Sequence, residues 1–243
     1  MLLSVLLPIS FLGSFVFGLT GFGSGLVTVP LASFFFDLPF VLAVFSVIDG
    51  LNAVRIWRTQ PGAVSWPDAA RLLPSCIVGV TVATPLLLWL PTRPLLLAFG
   101  GFVFAYAVYG LLAPKRLPII GRGWAYLAGL ISGVTSTLFG AGGPPFVIYL
   151  GMRPLVGDQF RATLAVTGVV SIGARIIAFA LGGLLSSPKV WLAILLVAPA
   201  SIIALWLAQR MHTRIPRAAL VRGVQLLLCL AGASLMHRAL GMP

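Results

Sequence analysis

Leu138-Phe139-Gly140-Ala141-Gly142-Gly143-Pro144-Pro145 interrupts a long apolar run, 124–151. Glycine costs a helix interior about 1 kcal/mol against alanine and proline about 3, so no regular helix continues through this stretch. A bilayer has no water for the backbone groups such a break frees, and the break survives only where protein or a wet cavity surrounds it. The first apolar run, 2–36, carries a counterpart: Leu19-Thr20-Gly21-Phe22-Gly23-Ser24-Gly25, followed by Pro30. The breaks form a pair, one in each half of the chain.

Composition places both breaks in a membrane. The 243 residues are 60% hydrophobic and 8% charged with a mean hydropathy of +1.10, against about 45–50% and about 25% for ordinary globular domains. An all-α polytopic membrane protein with almost no soluble portion follows. The net charge of +12 comes from sixteen Lys and Arg against four aspartates. These basic residues stand singly or in small groups between apolar runs, as the positive-inside rule expects, so nucleic acid is not an expected partner. Cys76 and Cys229 lie within apolar runs without metal spacing, and His212 and His237 sit at or near segment ends without ligand partners. No metal or other cofactor is expected. Met1-Leu2-Leu3-Ser4-Val5 has no basic n-region, which argues against a removable signal peptide.

Eight apolar runs follow one another: 2–36, 39–57, 69–90, 94–113, 124–151, 160–184, 189–208 and 218–240. A crossing needs about 20 residues; the first and fifth runs are longer than that and broken, and the other six each fit one crossing. Turn signals at Asp37-Leu38-Pro39, Gln60-Pro61-Gly62, Pro91 to Pro94, Pro118 to Gly123, Ser186-Ser187-Pro188 and Ile215-Pro216 separate them. Gly21-Phe22-Gly23 aligns on Gly140-Ala141-Gly142 at an offset of 119, Leu42-Ala43-Val44 on Leu164-Ala165-Val166 at 122, and Arg55 on Arg175 at 120. Two repeats of four runs, 1–115 and 120–243, are therefore expected within one integral membrane domain.

Charge decides the topology. If every run crosses once, Lys and Arg between runs divide eight against seven; if run five returns to the side it entered, they divide twelve against three. The second count obeys the positive-inside rule, so run five is expected to be a re-entrant hairpin, or to make an even number of passes, turning near Gly140–Pro144. No basic residue flanks run one. The repeat makes it re-entrant too, from the opposite face, with a kinked single crossing as the alternative. Inverted halves, cytoplasmic basic loops and both termini outside are the resulting expectation.

Two ionisable residues lie at membrane depth, where a charge costs at least about 2.5–3.5 kcal/mol on insertion scales: Asp49 and Arg175. Asp49, Asn52 and Ala53 share a helix face by spacing. Asp49 is a candidate coupling site for a proton or cation, or it orients Arg175, or the two form a buried pair that fixes packing. The planar guanidinium of Arg175 suits an oxyanion. Arg55, near a segment end, can simply snorkel. Thr20, Ser24 and Thr28 flank the first break; Ser132, Thr135, Ser136 and Thr137 precede the second. Beside half-helix N-termini such hydroxyls would extend a cradle of N–H donors for an anion. Gly13, Gly18, Gly79, Gly129 and Gly133 read as close-packing positions, and the tryptophans as marks of interfaces or of core packing. The chain has no His-x-x-x-His, no Gly-x-Ser-x-Gly, no paired carboxylates and no glutamate, so an enzyme is not expected.

The broken first segment Gly-Phe-Gly-x-Gly-(x)4-Pro, repeated as Phe-Gly-x-Gly-Gly-Pro-Pro, resembles the sulfite exporter TauE/SafE family of membrane permeases over nearly the whole chain. The resemblance implies transport of small sulfur-containing anions, sulfite or organosulfonates, and of related organic anions across a prokaryotic inner membrane. The family's glycine motif maps onto Gly21, Gly23 and Gly25 and onto Gly140, Gly142 and Gly143; Ser24 stands where a further glycine is common, and Pro144-Pro145 is doubled. The substrate-binding candidates are Thr20, Gly21, Phe22, Gly23, Ser24, Gly25, Asn52, Thr137, Gly140, Ala141, Gly142, Gly143, Pro144 and Arg175, with Asp49 for coupling. Paired broken segments point to a transporter site between two halves. A passive anion channel is the alternative, and a non-transporting scaffold leaves the breaks unexplained. Exposed small-residue faces are compatible with a homodimer.

Overall fold

The structure, a computed structural model, describes residues 2–59, 62–112, 118–155, 157–211 and 217–240. Ten α-helices and no strands occur among the described residues. Each broken run yields two helices: α1 (Leu2–Thr20) and α2 (Ser24–Ala32), then α6 (Trp124–Phe139) and α7 (Gly143–Gly151). The remaining six are α3 (Leu38–Arg58), α4 (Trp66–Trp89), α5 (Thr92–Leu112), α8 (Gly157–Leu181), α9 (Pro188–Met211) and α10 (Arg217–Leu240). Among the described residues α3, α4, α5, α8 and α9 are long and apolar enough to cross a membrane. The protein is an all-α, multi-pass membrane protein. Lys115, Arg116, His212, Arg214 and the turn residues Gln60, Pro61, Ile215 and Pro216 lie outside the described residues, as do the side chains of Arg217, Arg222 and Arg238. Exposed Trp66 and Trp89 stand at the two ends of α4, and exposed Trp124 opens α6. Their placement is that of interfacial anchors.

Both breaks are turns built on glycine. Gly140 ends α6 at φ +67, and the N–H groups of Gly140 and Ala141 close on the carbonyls of Ser136 and Thr135 at 3.0 and 3.1 Å. An L side chain is strained in that left-handed conformation, which is why glycine stops helices there. At 1.5 Å per residue the sixteen residues of α6 run about 24 Å and the nine of α7 about 14 Å. Ile120 N–H donates to the Met152 carbonyl at 3.1 Å, and the Arg153 guanidinium donates to the Ile120 carbonyl. The two ends of the segment 120–152 therefore meet, and the segment leaves on the side it entered. In the first run Gly13 of α1 lies against Thr28 of α2, so α2 folds back along α1. Both broken runs thus fold back on themselves, and the two ends of run five lie on one side of the molecule.

The helices pack in matched sets. α1 lies along α9 as α6 lies along α4; α9 also contacts α3 as α4 contacts α8; α3 crosses α8, and α5 runs along α10. Exchanging α1–α5 for α6–α10 maps each of these contacts onto its mate. Gly79, Gly129 and Gly133 sit where α4 and α6 approach most closely, and a Cβ at any of them would overlap a facing carbonyl. Close approach of this kind is how small residues drive helix association in lipid. α3 buries 61% of its span against 33–39% for the other four long apolar helices, so it is the central one.

Candidate functional site

The two breaks touch at the centre of the molecule. A Cβ on Gly25, in the first turn of α2, would overlap the Gly140 carbonyl, and the Phe22 ring lies over Gly143. The N-termini of α2 and α7 thereby come together beside α3 and α8. Between them is a cavity of about 40 Å3, lined by Gly21, Phe22, Gly23, Ser24, Asp49, Ser136, Gly140, Gly142, Gly143, Ser171 and Arg175, with Phe17, Phe146, Leu164, Gly168 and Ile172 completing its walls. One water needs roughly 10–15 Å3 on this measure. The space takes a few waters or one small polyatomic anion.

Arg175 and Asp49, 1% and 3% exposed, face each other here. Arg175 Nη2 is 3.3 Å from Asp49 Oδ2, and Nη1 donates to the Ser136 carbonyl at 2.8 Å. Ser24 Oγ, at the start of α2, donates to Asp49 Oδ1 at 2.6 Å. A carboxylate at a helix N-terminus is favourable, and with the serine it fills the α2 end of the cavity. The α7 end is different. Arg175 Nε is buried without a hydrogen-bond partner, and the Ser171 hydroxyl, one helical turn before it, has only the weakly bonding Cys76 thiol beside it. A buried polar group left unpaired costs about 1–3 kcal/mol, so the bare guanidinium Nε marks a place shaped for a further acceptor. A helix start also leaves its first N–H groups unpaired. Pro144 and Pro145 have no N–H, which leaves those of Gly142 and Gly143. The α7 end thus gathers several donors: guanidinium Nε–H, a hydroxyl that can donate, and backbone amides. Such a set binds an oxyanion.

Several of the residues expected at the site serve the turns around it. Thr20 bonds back to the Val16 and Phe22 carbonyls, so its hydroxyl shapes the first break. Thr137 donates to the Gly133 carbonyl. Ala141 is buried behind the cavity, Gly25 is the contact point of the breaks, and Pro144 faces away from this cavity. Asn52 belongs to a separate buried cluster, donating to Ser14 Oγ at 3.1 Å and to Ser201 Oγ at 3.0 Å. Helical spacing put Asn52 near Asp49 along α3, but the rotation between them turns its amide towards α1 and α9. Arg55 is half-buried in the last turn of α3, away from the cavity. Ser171 and Gly168 were not anticipated. Ser171 stands four residues before Arg175 on α8, a spacing that shares a helix face and could have marked it.

The family described as Sulfite exporter TauE/SafE matches residues 6–235 of the chain. The protein named "Probable sulfite/organosulfonate exporter TauE" from Cupriavidus necator is 27% identical over 235 residues, covering 94% of this chain and 91% of the relative. No solved structure matches. The family is one of transporters, not enzymes. With the family match spanning both breaks and every helix between them, the chain belongs to the sulfite exporter TauE/SafE family.

Proposed function

We propose that the protein is a secondary transporter carrying sulfite, a short organosulfonate or a related organic anion across the inner membrane by alternating access. The observation that carries this reading is a buried guanidinium, Arg175, whose Nε has no partner and which lines one small cavity with Ser171 at the start of α7. The anion sits between them and the Gly142 and Gly143 amides, with Arg175 supplying the opposite charge. The halves 1–115 and 120–243 have inverted topology, the basic loops are cytoplasmic, and both termini are outside. Support comes from the matched packing of α1–α5 and α6–α10 and from the charge count. The name of the Cupriavidus necator relative supports outward movement and a sulfur anion.

Asp49 is the coupling residue. Arg175 and Asp49 together are neutral, and an arriving anion competes with the Asp49 carboxylate for the guanidinium. Site occupancy and protonation of Asp49 are therefore linked through one cation. The test is uptake into proteoliposomes of labelled sulfite, a short alkylsulfonate and a short dicarboxylate, with and without a proton gradient. Saturable movement of a sulfur anion, raised by the gradient and lost in Arg175→Ala that still inserts, is the expected result. Flux that never saturates would make the protein a passive anion channel. Absence of any sulfur-anion movement would remove the substrate assignment.

A further inference from the structure

Behind α7, on the side away from the anion cavity, lies a second cavity of about 390 Å3 between α5 and the α6–α7 hairpin, walled by groups such as Ala105, Tyr106, Pro145 and Ile148. It marks the one place where the matched packing fails most clearly. α10 packs against α2 in the first half, whereas α5 and α7 scarcely touch. Half-helix α7 packs Phe146, Tyr149 and Leu150 against Leu72, Val80 and Leu164 on one side, but on the α5 side it lacks the neighbour that α2 has in α10.

A polar cluster at its far end holds it instead. Asp68, in the first turn of α4 and 1% exposed, accepts from Tyr149 Oη at 2.6 Å and from Arg153 Nε at 3.0 Å on its Oδ1. Its Oδ2 accepts from Ser65 Oγ at 2.7 Å, and Ser65 N–H donates to Thr163 Oγ1 of α8 at 2.9 Å. Arg153 also holds the Ile120 carbonyl. Tyr149 lies in α7, and Arg153 is the second residue after its end. One carboxylate thus ties the end of α7 to α4 and, through Ser65, to α8. The first hairpin lacks these residues. At the same offset of 119, Pro30 and Phe34 stand where Tyr149 and Arg153 stand, and Val190 is the third residue of α9 as Asp68 is of α4.

We infer that Asp68 is the positioning residue for α7, fixing through Tyr149 and Arg153 the half-helix whose opposite end faces the anion cavity. Its importance for transport rests on the function proposed above; its mechanical role does not. With the carboxylate in place, α7 stands clear of α5. Without it, α7 is free to lean into the apolar gap, carrying Gly142, Gly143 and Phe146 away from Arg175.

Disulfide cross-linking across the gap tests this without any substrate. In a background with Cys76→Ala and Cys229→Ala, Ala105→Cys and Ile148→Cys are introduced on α5 and α7, and copper-phenanthroline oxidation is timed in proteoliposomes. Cross-linking at least ten-fold faster with Asp68→Asn is expected, with Asp68→Glu returning towards the parent rate and Tyr149→Phe in between. In sulfite uptake Asp68→Asn should raise KM at least five-fold and change kcat much less. Tyr149→Phe removes one hydroxyl only and carries the test if Asp68→Asn fails to insert. Equal cross-linking rates in the parent and in every inserted variant would overturn the assignment. That outcome would leave the anion site untouched, and failure of sulfite uptake would leave the cross-linking result untouched.

Discussion

Arg175 holds two of its three nitrogens in protein hydrogen bonds and leaves the third buried without one, a helical turn from the Ser171 hydroxyl. Ser171→Ala should therefore behave unlike an ordinary loss of a buried hydrogen bond. It removes a hydroxyl whose neighbour is the weakly bonding Cys76 thiol, so thermal stability falls by no more than about 0.5 kcal/mol, while KM for sulfite increases several-fold in proteoliposome uptake. Asp49→Asn should do the reverse. Breaking a buried ion pair from one side costs about 3–5 kcal/mol, and proton stimulation of transport disappears. Because Arg175 then has no counter-charge, sulfite should raise the melting temperature of Asp49→Asn more than that of the wild type. Asp49 and Arg175 were legible in the sequence because charges at bilayer depth are rare and expensive. Ser171 was not, since serines are common in membrane helices and most bond their own backbone. Asn52 shows the limit of spacing arguments: three residues along α3 keep it near Asp49 in height, but its neighbours are Ser14 and Ser201.

The helix breaks owe their form to local chemistry and their juxtaposition to the packing of distant segments. Gly140 and Gly23 announce turns by being glycine, and both have positive φ. Nothing local announces that Gly25 must face the Gly140 carbonyl. Gly25→Ala should accordingly separate the two breaks, cost about 1–3 kcal/mol as an overpacked contact, and abolish uptake in protein that still inserts. Gly173→Ala, in α8 with open space around its Cα, should be neutral or stabilising by about 0.5–1 kcal/mol as a glycine-to-alanine change inside a helix. Thermal unfolding and sulfite uptake on the two variants check the contrast. The hairpin of α6 and α7 was legible because charge in the flanking loops records which side each end occupies. The gap between α5 and α7 left no comparable trace, since lipid-facing and cavity-facing apolar side chains read alike.

At the scale of the molecule, two hairpins meet end to end at one buried cation, and α3 and α8 cross beside them. The re-entrant path has a direct consequence for labelling. Single cysteines at Gly121→Cys and Pro154→Cys should react with an impermeant maleimide from the same, cytoplasmic side, and Ser187→Cys from the opposite side. Reaction of the first two from opposite faces would contradict the hairpin. The central claim, that an oxyanion binds between Arg175 and Ser171, is tested most directly by calorimetric titration of sulfite into the purified, detergent-solubilised protein. Saturable binding at one site per chain is expected, weakened at least ten-fold by Arg175→Lys, which keeps the charge but loses the guanidinium Nε, and unaffected by Gly173→Ala. Equal sulfite affinity in the wild type and Arg175→Lys would contradict it.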